Sequence, residues 1–247
     1  MTSLLLRMNY KNIRPLALLL ALFAVHNAFS QTPIWKDAII DGQSGGIRQL
    51  PLKPPGVKGS VYLNEEWQQA GIYLKNTSKS ADAGAGEMMN VPVKFDLQAN
   101  QFEINTTAGV KVLPGDRVEK FEWQTAEGLQ TEVYINCEQF SYQDTRLIGF
   151  CQVHSDGKMM LVSRIYIETI KANYNVALSV GNNHDTLVKK EKLCLIKDGK
   201  LIDFDKKSLL SQMSDKEKQV NQYVKDNHLK LGKEDHVKQL VEYYNSI

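Results

Sequence analysis

The chain has 247 residues, 43% of them hydrophobic and 23% charged, with 16 Gly, 7 Pro and 3 Cys. That composition excludes collagen-like, mucin-like, strongly disordered and disulfide-dense classes. The formal charge of +2, from 30 basic and 28 acidic side chains, gives no case for nucleic acid or an anionic membrane as electrostatic partner.

The N-terminal 30 residues read as an export signal. Arg7, Lys11 and Arg14 precede an apolar run over 16–25. Its length suits a signal core and falls short of the ~20 residues of a membrane-spanning helix. Ala28 and Ser30 supply small residues before a cut between Ser30 and Gln31, and either Met1 or Met8 can serve as start. An uncleaved anchor is the competing reading. The residue directly after the cut is Gln31 rather than Cys, which disfavours a lipid-anchored protein. Cleavage removes three basic residues and no acid, leaving 27 basic and 28 acidic side chains, a charge of −1. The expected location is therefore the periplasm, the outer-membrane periphery or the extracellular medium, with no transmembrane segment in the cleaved chain.

Residues 31–58 carry Gly42, Gly45, Gly46, Pro51, Pro54, Pro55 and Gly56, too much punctuation for a long element. They read as an extended, irregular lead-in. From 59 to 204 the pattern is that of an antiparallel β domain. A short strand over 71–74 is followed by a small-residue loop over 78–86 and by alternating runs over 91–97 and 101–105 that form a hairpin. A strand over 109–113, a turn at Pro114-Gly115-Asp116, and strands over 117–123 and 131–135 follow. Asp156-Gly157 and Asp198-Gly199 each sit between apolar runs, which marks two further hairpins.

After Phe204 the period changes from two to 3.6, so 205–247 reads as a helical segment. Asp205 or Lys206 opens a short helix. Ser214-Asp215-Lys216-Glu217 matches a capping box ahead of a second helix bearing Val220, Tyr223 and Val224. A third runs from about Lys233, with Val237, Leu240, Val241 and Tyr244 on one stripe. The expected fold class is mainly β (α+β): a curved antiparallel sheet or partly open barrel of hairpins, with a two- to three-helix C-terminal appendage.

Several of these runs carry a resemblance. Residues 59–67 and 71–75, the run Val91-Pro92-Val93-Lys94-Phe95-Asp96, Phe150-Cys151-Gln152-Val153 with Asp156-Gly157-Lys158, and the tail Glu242-Tyr243-Tyr244-Asn245 resemble an uncharacterised family of exported proteins of Bacteroidetes. The resemblance implies export and a β-rich architecture. It implies no activity and no site residues, and the loop over 76–90 is longer here than such relatives lead one to expect.

No nucleophile elbow, zinc helix, P-loop, dinucleotide fingerprint or EF-hand loop is present. No cofactor and no metal ligand set is expected. His154, His184, His228 and His236 read as surface side chains. Asn182-Asn183-His184-Asp185 is the most chemically suggestive tetrapeptide, because an Asp beside a His can orient an imidazole. Neighbours on a strand point to opposite faces, however, and Gly181-Asn182-Asn183 favours a turn. Glu65-Glu66 could supply paired carboxylates for glycoside hydrolysis with Trp67 as sugar platform, but adjacent side chains diverge. Export permits oxidation, so Cys137 and Cys151 could form a disulfide, while a buried thiol suffices for Cys194. The sequons at Asn76 and Asn105 read as chance matches.

These readings lead to an exported, non-catalytic binding or envelope-associated module. Its expected partner is an envelope protein or a small apolar ligand on the concave face of the sheet. The rival is a secreted hydrolase with a dispersed His/carboxylate site, for which His184 and Asp185 are the candidates. An outer-membrane barrel is disfavoured by the helical C-terminus.

Overall fold

Alternation of apolar and polar residues from Gln68 onward builds twelve strands of a thirteen-stranded sheet, and Val57–Lys58 supplies the other. The computed structural model describes residues 56–75, 86–125, 130–143, 145–175 and 177–247. The expected signal over 1–30, its Ser30/Gln31 cut, most of the lead-in, the sequon at Asn76 and nearly all of the small-residue loop lie outside the described residues.

The strands are β1 (Val57–Lys58), β2 (Gln68–Leu74), β3 (Glu87–Asp96), β4 (Gln101–Thr106), β5 (Gly109–Pro114), β6 (Val118–Gln124) and β7 (Thr131–Asn136). They continue with β8 (Ser141–Tyr142), β9 (Thr145–Arg146), β10 (Phe150–Ser155), β11 (Met159–Ile170), β12 (Asp185–Lys197) and β13 (Lys200–Asp203). Helices α1 (Lys206–Gln212), α2 (Glu217–Asp226) and α3 (Glu234–Ser246) complete the chain. The sheet order is β5-β4-β3-β2-β6-β7-β10-β11-β12-β13-β8-β9, with β1 added to β12. Pairing is antiparallel except where β1 meets β12 and β8 meets β13.

The sheet curves because several strands carry irregularities. Register shifts fall between Ala70 and Ile72, between Tyr73 and Leu74, and between Val153 and Ser155. Each such bulge bends its strand and increases the local twist. The curl brings Phe102 of β4 to 5.5 Å from Phe150 of β10, although four strands separate them in the sheet. Phe95 and Phe121 join the same cluster, and Phe121 stacks on Tyr134 at 4.6 Å. The concavity is thus filled by the protein's own aromatic rings. The sheet remains unclosed strand to strand.

The segment after β1 crosses the opening. Val57 pairs with Asp185 of β12, while the Leu63 N–H donates to the Phe95 carbonyl of β3 at 2.9 Å. Leu97 N–H returns a bond to Val61 at 2.9 Å. Gly59, at φ +95°, lies where a Cβ would strike the Leu187 carbonyl, so only glycine passes there. β1 therefore belongs to the sheet, although it falls within the expected lead-in.

The helices cover one end of the same face. Leu209, Met213, Val220, Val237, Leu240 and Val241 pack on Met159, Leu161 and Leu195. The Lys197 ammonium, which donates to the Gln212 carbonyl and to Tyr244 Oη, clamps α1 and α3 to β12. The capping box lies at Asp205, whose carboxylate accepts from Lys207 and Ser208 while Ser208 Oγ accepts from the Asp205 N–H. The box expected at Ser214 does not form. Met213 is buried in the helical core and Asp215 accepts from Tyr244 at 2.9 Å, which turns 214–216 into a 3-10 turn and leaves α2 without a side-chain cap. Among the described residues no helix is long and apolar enough to cross a membrane.

On the opposite face Cys137, Cys151, Val162, Cys194, Ile196 and Leu201 form a third cluster. Cys137 and Cys151 are joined as a disulfide with Cα atoms 6.0 Å apart, and Cys194 is a buried free thiol. Burial, with Asp203 adding, pushes that thiol up to about 11.

Candidate functional site

Between the crossing segment and the outer half of β11–β12 lies a shallow groove of about 300 Å³. Alternation on β6 and β7 sets its floor: Trp123 pairs with Glu132, and both face the concave side. The Trp123 indole N–H donates to Glu132 Oε2 at 2.8 Å, and Tyr134 Oη donates to the same oxygen at 2.9 Å. Ile165 and Glu191 form one wall, and Leu63 and Asn64 form the other. Lys189 ties the walls together by donating to the Leu63 carbonyl at 2.8 Å. A second hollow of about 420 Å³ shares Leu63, Asn64 and Lys189 and extends the groove toward Ser60 and Leu187.

Electrostatics fix the roles of these groups. Burial drives the Tyr134 hydroxyl well above its ordinary value, and the charges of Glu132 and Glu191 add to the shift. Tyr134 is therefore a permanent donor, and together with Trp123 it orients Glu132 as an acceptor. The second carboxylate oxygen of Glu132 has no hydrogen-bond partner among the described residues. The groove thus offers an oriented acceptor, a flanking acid and apolar patches at Ile165 and Leu63. The part lined by Trp123, Glu132 and Glu191 contains no Ser, Cys or His, and the extension adds Ser60.

The residues singled out from sequence lie elsewhere. Asp185 opens β12 and accepts from Lys171 at 2.8 Å and from the Ala172 N–H at 2.9 Å. Those contacts hold its carboxyl below its ordinary value, with the Lys171 hydrogen bond the largest cause. The His184 ring has no hydrogen-bond or ion-pair partner among the described residues; its backbone N–H donates to Asn182 Oδ1. The structure does not join the two side chains. Glu65 and Glu66 are exposed, and Lys94 sits 5.2 Å from the Trp67 ring.

One arrangement escaped the sequence reading. His154 Nε2 lies 2.7 Å from Ser163 Oγ, and His154 Nδ1 lies 3.7 Å from Glu234 Oε1. His154 is half-buried rather than a free surface side chain. The order Ser–His–Glu is that of a nucleophilic triad, but Ser163 is buried in mid-strand, paired with Gln152 on one side and Leu193 on the other. Its backbone is committed to the ladder, which leaves no local pair of N–H donors to hold an oxyanion. The contact instead ties the start of α3 to the sheet. Residues from β10, β11 and α3 meet there, and no local motif marks such a meeting.

Among the described residues no group of three or more His, Cys, Asp or Glu could hold a metal ion. Comparison of the chain with family models, with curated proteins and with solved structures finds no match.

Proposed function

We propose that the protein is an exported, non-catalytic binding module of the cell envelope, whose groove between residues 60–65 and β12 receives a protein partner. The observation that carries this reading is the solid interior. Phe95, Phe102, Phe121 and Phe150 occupy the concavity where a small apolar ligand would otherwise sit. The hollow beside Trp123 and Glu132 is a shallow polar groove, and shallow, mixed polar and apolar surfaces suit macromolecular contacts better than enclosure of a small molecule. The export signal and the resemblance to exported Bacteroidetes proteins support the location.

The test is recovery of an envelope protein by the purified chain from its native cells, compared with a Glu132→Arg variant. Recovery that the variant loses is the expected result. The rival hydrolase would draw on Glu132 and Glu191 of the same groove. Turnover of glycoside or ester substrates that Glu132→Gln abolishes, with no recovered partner, would replace the binding reading.

A further inference from the structure

The edge of β12 that faces away from β11 is left open along its middle. β1 pairs there only with Asp185 and Thr186, and β13 only with residues 194–197. The Leu193 carbonyl, which accepts from the Phe204 N–H at 3.1 Å, marks which peptide groups face that side. Peptide groups alternate along a strand, so those of Lys189 and Glu191 face it too. No backbone group pairs with them on that side among the described residues. Residues 60–65 run opposite, but their peptide groups serve β3: the Leu63 N–H donates to Phe95, and the Val61 carbonyl accepts from Leu97. The result is a notch over residues 188–192, about 16 Å of strand, with β1 at one end and β13 at the other. A row of unpaired amides and carbonyls recognises the main chain of another extended segment.

The groove beside the notch carries unmatched negative charge. Glu132, Glu191 and Lys189 line its concave side, and the Lys189 ammonium is bound to the Leu63 carbonyl. Alternation puts Lys190 and Lys192 on the other face, where they pair with Glu168 at 3.6 Å and Asp203 at 2.7 Å. Glu191 has no ion pair and no side-chain hydrogen bond among the described residues. Glu132 is held only by the neutral donors Trp123 and Tyr134. The charges of both carboxylates act on the Tyr134 hydroxyl, so they converge over the same patch of floor. A cation placed there gains a charge-assisted hydrogen bond to the free oxygen of Glu132. Ile165 and Leu63 offer apolar surface to the stem that carries it. A second copy of this chain is a poor occupant, because its own β12 edge would set lysine against lysine.

We propose that the partner enters as an extended segment of a different protein, which adds a short strand to β12 at Lys189 and Glu191 and sets an arginine or lysine side chain on Glu132. This rests on the groove reading above and names the chemistry of its partner.

The free chain gives the first measurement. Amides of Val188, Lys190 and Lys192, which face β11, should be protected from hydrogen exchange, while those of Lys189 and Glu191 exchange freely. The probes are short peptides of alternating threonine and valine with a central arginine, glutamine or glutamate. At millimolar concentration the arginine peptide should slow exchange at Lys189 and Glu191 and bind at least about tenfold tighter than the glutamate peptide. Glu132→Gln should remove most of that difference while the amides of β6 and β7 keep their protection. Protection of Lys189 and Glu191 in the free chain, no change there with the arginine peptide, or equal binding of every peptide would overturn the assignment. Crosslinking from Asn64 in native cells reports the groove separately. An adduct whose crosslinked partner segment carries no arginine or lysine removes the strand contact and leaves the groove reading standing.

Discussion

The Lys189 ammonium donates to the Leu63 carbonyl at 2.8 Å, joining residues 126 apart in the sequence. This bond fastens the segment that crosses the open side of the sheet to the strand forming the groove's other wall. Lys189→Met removes the donor and keeps the aliphatic stem. The expected loss is small, about 1 kcal/mol. It should be local: amide exchange at Leu63 and Leu97 should accelerate, while amides of β6 and β7 keep their protection. Uniform acceleration through the sheet would contradict the latch.

The aromatic cluster carries a larger share of stability. Phe102 is fully buried and meets Phe95, Phe121 and Phe150 with ring centroids between 4.6 and 5.5 Å. Phe102→Ala should cost about 3–5 kcal/mol in denaturant unfolding, the range for a large buried ring replaced by a cavity. Phe102→Leu should recover most of it.

The cysteines separate by chemistry. The Cys137–Cys151 bridge closes a sequence separation of 14, a loop size at which a crosslink contributes about 3 kcal/mol. Cys137→Ser together with Cys151→Ser should lower unfolding stability by roughly that amount. Cys194, buried and with its thiol pushed up to about 11, should resist iodoacetamide at neutral pH until the chain unfolds. Rapid alkylation of the native protein at Cys194 would show that the third cluster is open.

Acid should weaken the fold through Glu138. Burial alone would raise its carboxyl, but Arg146 at 2.8 Å and Lys75 at 3.0 Å both donate to Oε2 and bring it below the ordinary value of 4.5. A carboxyl lowered on folding stabilises above its unfolded value, and the contribution disappears as pH falls through the folded value. Wild type should therefore exceed Glu138→Gln in stability at neutral pH, with the difference starting to shrink as pH drops below about 4.5 and vanishing only below the lowered folded value. Denaturant titrations of both chains across that window give the comparison. A constant difference at all pH values would remove the charge pair as its cause.

Local features of this fold were legible in the sequence, and long-range ones were not. Asp198 and Gly199 adopt φ +50° and +72°, the conformation for which Asp-Gly is chosen, so that hairpin announced itself. The stripe Val237, Leu240, Val241, Tyr244 is buried as its spacing implied. β12 is longer than the apolar run before Asp198-Gly199, because Lys189, Lys190, Glu191 and Lys192 place charge on both faces and erase the alternation. Those lysines sit where β12 lacks a neighbour between β1 and β13, a common protection of an open edge. The parallel β1–β12 pairing and the bridge from Tyr62 to Asp96 join segments far apart in sequence, which leaves no periodic mark. Trp123 and Glu132 could have been found together, since a hairpin across residues 124–131 places them opposite one another. Adjacent pairs such as Glu65-Glu66 and His184-Asp185 diverge along the chain, whereas cross-strand pairs converge on one face.

The central claim is most directly tested by site-specific photo-crosslinking in the native cell. A benzoylphenylalanine at Asn64, on the groove wall, is compared with one at Gln239 on α3. A discrete adduct with one envelope protein is expected from Asn64 alone, lost when Glu132→Arg is added. No adduct from Asn64, or the same adducts from both positions, would contradict it.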